Sequence, residues 1–249
     1  MDVLGEDIDS LSEAESAKDE CIRVLETMKE YHLDSNLSLK LTQLGLKIDK
    51  ERCFENVREI VTKAKSMNNF VRIDMEDSTC TSNTLDIYRK LRKEYDNVGT
   101  VIQAYLMRSQ NDVQSLIDDG IAHIRICKGI YKELPEIAYK NREKIRENYL
   151  RLVKMVLDGG GYAGIATHDR IVVNQAIEII RSGHVSQSQF EFQMLLGVTE
   201  NLRSELVSSG YRLRVYVPYG EQWYGYCTRR LKENPDIAGY ILKNIFIRN

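Results

Sequence analysis

Two hydrophobic periods alternate along this chain, and that alternation limits its fold more than any other feature. Short β-rich runs occur at 2–6, 37–42, 70–74, 99–105, 122–127, 162–167, 189–193 and 212–218. Between them lie longer segments whose apolar residues recur every three or four positions, as in helices with one buried stripe. In 141–158 the stripe is Ile145, Tyr149, Leu152, Val153 and Val156. In 53–67 it is Val57, Ile60, Val61 and Ala64, and in 80–95 it is Leu85, Tyr88 and Leu91. Helix starts are expected at Ser82, ahead of Leu85, and at Ser109-x-x-Asp112, a loose capping box. Eight strands, each followed by a helix, is the number that closes a parallel barrel. The expected fold class is therefore α/β, a (β/α)8 TIM-like barrel, and the tail beyond Pro235 reads as an extra C-terminal helix.

The alternative is an open doubly wound sheet, which one local match favours. Gly159-Gly160-Gly161-Tyr162-Ala163-Gly164 fits G-x-G-x-x-G. A dinucleotide fingerprint must follow a strand and open a helix. This run ends a helical segment and opens a strand, so it reads as a helix C-cap and a tight turn.

Composition narrows the function. The 249 residues suit one barrel. Three prolines leave the regular elements uninterrupted. Lys+Arg 35 against Asp+Glu 37 gives a net charge of −2, without the broad basic field that nucleic acid demands. No run approaches the roughly 20 apolar residues of a membrane span. The acidic start, MDVLGEDIDSLSEAESAKDE, is unlike a signal or transit peptide. Five cysteines without a CxxC pair and four scattered histidines argue against a disulfide framework or a metal site, and suit a reducing cytoplasm.

Barrel chemistry sits at the C-terminal ends of the strands. Those ends carry Glu6; Lys40 inside SLKLT; Asp74-Met75-Glu76-Asp77; Gln103; Arg125, then Lys128-Gly129; Thr167-His168-Asp169; Glu191 and Gln193; and Tyr216. Each has an ordinary reading. Lys40 could snorkel to the surface, Asp74 could cap a turn, and His168 could be a satisfied structural histidine. A polar group at eight consecutive strand ends points instead to a ligand site. Arg229 and Arg230, followed by Glu233, come after the aromatic cluster Trp223-Tyr224-Gly225-Tyr226. Adjacent guanidinium groups can fork around a carboxylate or phosphate. With Lys40 they place three cations near one mouth, which implies a small anionic ligand. The residues alone also admit a barrel aldolase with Lys40 or Lys128 as a Schiff-base nucleophile, or a non-catalytic barrel that only senses its ligand.

Seven segments, in order, resemble the proline dehydrogenase family in its bacterial monofunctional form. They are SLKLTQLG at 38–45, VRIDMEDS at 71–78, VIQAYLMR at 101–108, RICKGIYKE at 125–133, IATHD at 165–169, FEFQMLLG at 190–197 and VYVPYGEQWYGYCTRRLKEN at 215–234. The resemblance implies a distorted (β/α)8 barrel that binds FAD noncovalently. It implies oxidation of L-proline to Δ1-pyrroline-5-carboxylate, with hydride passing to flavin N5 and electrons onward to a membrane quinone. It further implies that Lys40, Arg229 and Arg230 hold the proline carboxylate. Leu195, Tyr216 and Tyr226 line the ring, and Tyr216 excludes a 4-hydroxyl group. Glu6 pairs with Arg229 as a gate, and Asp74, near Lys40 and the flavin, and Arg125, near the flavin's reactive edge, are catalytic. Met75, Gln103, Arg125, Lys128, Gly129, Ile130, Thr167, His168, Gln193 and Glu233 line the cofactor. A pyrroline-5-carboxylate dehydrogenase is an expected partner, and the expected location is cytoplasmic, with peripheral contact at the inner face of the cell membrane. Met1 is followed at once by DVLGE, the first-strand motif. The expectation is thus a single catalytic domain over 1–249 that is short at its N-terminus and lacks the family's helical arm.

Overall fold

The computed structural model describes residues 1–5 and 7–220. Its strands are β1 (Asp2–Val3), β2 (Leu37–Leu39), β3 (Val71–Ile73), β4 (Val98–Gln103), β5 (His123–Cys127), β6 (Tyr162–Ala166), β7 (Phe190–Leu195), β8 (Leu213–Tyr216) and β9 (Pro218–Tyr219). Its helices are α1 (Leu11–Glu30), α2 (Lys50–Ser66), α3 (Ser78–Arg92), α4 (Ser109–Asp118), α5 (Arg142–Asp158), α6 (Arg170–Ser182) and α7 (Glu200–Ser208). Every strand pairing is parallel, in the order β8-β7-β6-β5-β4-β3-β2-β1-β9. The barrel expected from the two alternating periods is present. The segment beyond Pro235 lies outside the described residues.

The eighth strand closes the barrel in two halves. β8 pairs with β7, whereas β9 pairs with β1. Pro218 has no N–H to offer a ladder. The carbonyls of Val217 and Tyr219 nevertheless accept from Asp2 N at 3.0 Å and Leu4 N at 2.8 Å. A proline is tolerated here because this edge needs acceptors.

Successive strand residues face opposite ways. Leu37, Leu39, Val71, Ile73, Ile124, Ile126, Phe190 and Phe192 are all buried and belong to the core shared with the helices. The alternate positions face the lumen, and several of them are polar. Arg72, Arg125, Glu191 and Gln193 are buried there, in place of the branched apolar layers usual in such barrels. Burial on both faces follows from the parallel pairing, but the inner face is held by hydrogen bonds.

Helix starts cluster at the barrel mouth and are capped by short polar residues. Asp49, Asp77, Asn141 and Asp169 each accept a backbone N–H from the first turn of α2, α3, α5 and α6. The expected start at Ser82 is corrected to Ser78. The Ser82 hydroxyl lies in the second turn and accepts from Arg108 Nη1 at 2.9 Å. Ser109 opens α4 but caps nothing with its side chain, which accepts from Asn148 Nδ2 at 2.9 Å. Asp112 is gripped by Arg108 at 2.8 and 3.0 Å. The glycine run follows the turn reading, with Gly159 closing α5, Gly160 at φ +71° and Tyr162 opening β6.

Gly99 marks a close approach inside the lumen. A Cβ there would lie 2.5 Å from Arg72 Nη1, 2.7 Å from the His123 carbonyl and 2.8 Å from the Phe70 ring. The carbonyl belongs to a barrel strand and cannot step aside. Gly99→Ala is expected to destabilise the protein by about 1–3 kcal/mol, read as a lower denaturant midpoint at unchanged slope.

Candidate active site

Arg125 sits at the centre of the lumen. Its Nε donates to Gln193 Oε1 at 2.6 Å, Nη1 to Asp74 Oδ1 at 2.7 Å and Nη2 to Ser38 Oγ at 3.1 Å. The guanidinium also lies 5.3 Å over the Tyr216 ring. Asp74 is shared: Tyr216 Oη donates to its other oxygen at 3.0 Å, and Ser38 Oγ donates to Oδ1 at 3.3 Å. Burial, followed by the carboxylates of Asp74 and Asp2, pushes the Tyr216 phenol well above its ordinary value. Tyr216 is therefore a neutral donor at any physiological pH. Four residues expected at the site, Asp74, Arg125, Gln193 and Tyr216, are thus brought into one connected network.

Lys40 takes a different partner. It follows β2 directly, is 6% exposed and donates to both oxygens of Asp2 at 2.9 Å. Asp2 is fully buried, and burial pushes its carboxyl up while the Lys40 ammonium pulls it down. Asp2 was not among the expected site residues. A buried lysine demands a counter-charge, and the neighbouring strands offered two, Asp2 and Asp74. Only the three-dimensional arrangement assigns Asp2 to Lys40 and Asp74 to Arg125.

Those residues expected around a cofactor that lie among the described residues run from the end of β3 round to β7. Met75 is buried, and Gln103 Nε2 donates to the Glu76 carbonyl at 2.6 Å. Glu76 receives Thr42 N at 3.0 Å and also the Thr42 hydroxyl. Gly129, at φ +101°, lies so close to the Tyr105 ring that any Cβ would strike it. Lys128 Nζ donates to Asp169 Oδ2 at 2.5 Å, and Arg146 Nε reaches the same oxygen at 2.7 Å. Together they hold the Asp169 carboxyl down at about 2 against its burial. Thr167 Oγ1 accepts from Asp169 N at 3.1 Å, and Ile130 is exposed. The 128–141 loop is strapped across the mouth by Glu133, which accepts from Ser78 N at 2.7 Å and Ser78 Oγ at 2.6 Å. Below Arg125, a cavity of about 420 Å³ runs from residues 33–36 up to Ser38, Gln193 and Tyr216.

His168 is structural in its bonding. Its Nε2 accepts from Leu195 N at 2.9 Å, tying the end of β6 to that of β7. That bond requires a neutral ring. Glu6, Tyr226, Arg229, Arg230 and Glu233 lie outside the described residues.

A nearly closed parallel β/α barrel with a polar lumen and ion-paired charges at its mouth is thus the frame into which the comparisons fit. A family model described as proline dehydrogenase matches residues 1–241. Proline dehydrogenase 2 of Bacillus subtilis strain 168 is 39% identical over 245 residues, covering 98% of this chain and 80% of the relative. Proline dehydrogenase of Deinococcus radiodurans is 37% identical over 250 residues, with 98% and 80% covered. Among solved structures, proline utilization A from Bdellovibrio bacteriovorus, inactivated by N-propargylglycine, superposes with a TM-score of 0.86 at 26% identity. The match covers 94% of this chain but 29% of that longer one. This chain belongs to the proline dehydrogenase family. Among its described residues, no helix is long and apolar enough to cross a membrane.

Two outcomes follow from the geometry. Asp2→Ala takes the carboxylate from a buried ammonium and is expected to cost about 3–5 kcal/mol, measured by denaturant unfolding. The second concerns acid. Burial, then Lys128, lowers the His168 pKa to about 4. The unfolded chain binds that proton below about 6.5, so between these values the unfolded state holds more protons than the native state. Stability is full above about pH 6.5 and falls as the pH drops toward 4. Burial and Arg72 lower the His123 pKa to about 2, which carries the slope further down. His168→Asn should make the 6.5-to-4 portion of a plot of Tm against pH shallower, with His123 keeping part of that slope, and leave the lower portion.

Proposed function

We propose that this protein is an FAD-dependent proline dehydrogenase that oxidises L-proline to Δ1-pyrroline-5-carboxylate and delivers the electrons to a membrane quinone. We further propose that residues 1–249 form one catalytic domain. The observation that carries this reading is the clamped guanidinium of Arg125. A guanidinium has five N–H donors, and the three bonds to Gln193, Asp74 and Ser38 leave one on each terminal nitrogen. That donor set fits the nitrogen and carbonyl edge of a flavin. Met75, Gln103, Arg125, Lys128, Gly129, Ile130, Thr167, His168, Gln193 and Glu233 are the residues that would hold it. When bound, FAD supplies the acceptor that takes a hydride at N5.

The chain's own part is positioning. Lys40, Arg229 and Arg230 would take the substrate carboxylate, with Glu6 gating through Arg229. Leu195, Tyr216 and Tyr226 would wall the ring, and the Tyr216 phenol would leave no room for a 4-hydroxyl group. Asp74 and Arg125 would act as a catalytic pair, the carboxylate fixing the guanidinium where negative charge develops. The substrate amine must be neutral to release hydride, so turnover should rise with pH. The aldolase reading loses support, because Lys40 and Lys128 are engaged by the carboxylates of Asp2 and Asp169 rather than presented to a carbonyl substrate. The product would pass to a pyrroline-5-carboxylate dehydrogenase, in a cytoplasmic setting with peripheral contact at the inner face of the membrane.

The test is an anaerobic spectrum. Proline should bleach the visible flavin band of the purified protein, and N-propargylglycine should inactivate it. Arg229→Ala should raise the KM for proline about 10- to 100-fold, the loss of one charge-assisted hydrogen bond. A protein that takes up no FAD, or whose flavin stays oxidised under excess proline, overturns the reading.

A further inference from the structure

The orientation of Arg125 is set from a deeper layer of the lumen. Glu191 is 2% exposed and lies two residues before Gln193 on β7, so both side chains face inward. Its Oε1 accepts from Gln193 Nε2 at 2.7 Å and from Arg214 Nε at 2.7 Å. Its Oε2 accepts from Arg214 Nη2 at 3.1 Å and lies 3.3 Å from Arg212 Nε. Burial pushes this carboxyl up, but Arg214, Gln193 and Arg212 outweigh it and hold the group below the usual carboxylate range.

A primary amide has one accepting end and one donating end, whereas a carboxylate only accepts and a guanidinium only donates. Gln193 is caught between one of each, and a single flip satisfies both. We propose that Glu191 is a positioning residue for the reaction: it fixes the direction of the Gln193 amide, and the amide oxygen fixes Arg125 through Nε. The proposal rests on the reading of Arg125 as part of the reaction site. With the amide reversed, Nε2 would face Arg125 Nε, donor against donor, and the guanidinium would lose one of its three anchors. The ordinary alternative is that Glu191 serves only as the counter-ion of Arg214.

Exchanging the two side chains separates these roles. In E191Q the amide of Gln193 can flip and Arg214 loses its carboxylate. In the double variant E191Q/Q193E the new carboxylate at 193 accepts both from Arg125 and from the amide at 191. The net charge of the lumen is restored, but Arg214 still lacks its carboxylate. The readouts, on the full chain loaded with FAD, are hydrogen exchange of the Arg125 Nε–H by ¹⁵N NMR, assigned with R125K, and the KM and kcat for proline. E191Q should lose about 10-fold or more in Arg125 protection and lower kcat more than it raises KM. The double variant should recover both, while its Tm stays below that of the parent. A double variant no better than E191Q, or E191Q with Arg125 protection intact, overturns the proposal. Should E191Q not fold, E191D keeps a carboxylate for Arg214 but draws it back from the Gln193 amide; loss of Arg125 protection supports positioning, and retention overturns it. A parent protein that proline fails to bleach overturns the functional reading, and the exchange measurement still decides this one.

Discussion

A guanidinium inside a parallel barrel is largely cut off from bulk water and must be held by the protein's own groups, and the lumen of this protein is organised around that constraint. Arg125 stands on β5, yet its partners come from four other strands: Ser38 on β2, Asp74 at the end of β3, Gln193 on β7 and the Tyr216 ring on β8. Each bond spans the barrel rather than running along its wall. A buried charge left without partners would cost several kcal/mol, so the network ties the closure of the barrel to the direction of one cation. Barrel and candidate site are therefore one structure. The helices outside supply the hydrophobic driving force, and the lumen supplies specificity.

Arg72 shows the same constraint without a carboxylate. It is 1% exposed and donates to the Thr100 and His123 carbonyls, both at 2.9 Å, and its Nη2 lies 3.0 Å from His123 Nδ1. Burial, then the neighbouring Arg125, lowers its pKa to about 9. The ring of Phe70 lies 5.0 Å beneath it, and His123 stacks on Tyr162 at 4.3 Å. Carbonyls, a neutral imidazole and a π face thus stand in for a counter-ion at the floor of the barrel. At the mouth the charges are paired, as Asp2 with Lys40 and Asp169 with Lys128 and Arg146.

Strand and helix positions were legible because they depend on local periodicity. The β-rich runs at 70–74 and 162–167 match β3 and β6 to within a residue or so at each end, and 141–158 matches α5. The start at Ser82 was misread, and Ser109 opens its helix without capping it, for a reason that propensity does not show. Both hydroxyls accept from side chains of other elements, Arg108 and Asn148, so tertiary hydrogen bonds took groups that a local rule assigns to caps. For the candidate site, the strand-end rule located Lys40, Asp74, Gln103, Arg125 and Gln193, because side-chain direction and strand polarity are local properties. It did not identify Asp2, whose importance comes from pairing with a lysine 38 residues away.

The sequence by itself determined that this chain forms a (β/α)8 barrel, because alternating periods of two and 3.6 residues admit few other packings. The motif order along it also marked the family. It determined that each strand end would carry a polar group. The tertiary structure alone decided which charge meets which: Asp2 with Lys40, Asp74 with Arg125, and Glu191 with Arg214 and, through Gln193, with Arg125. Pairing energy depends on distance and on exclusion of water, and both exist only after eight strands from across the chain have closed on a common axis.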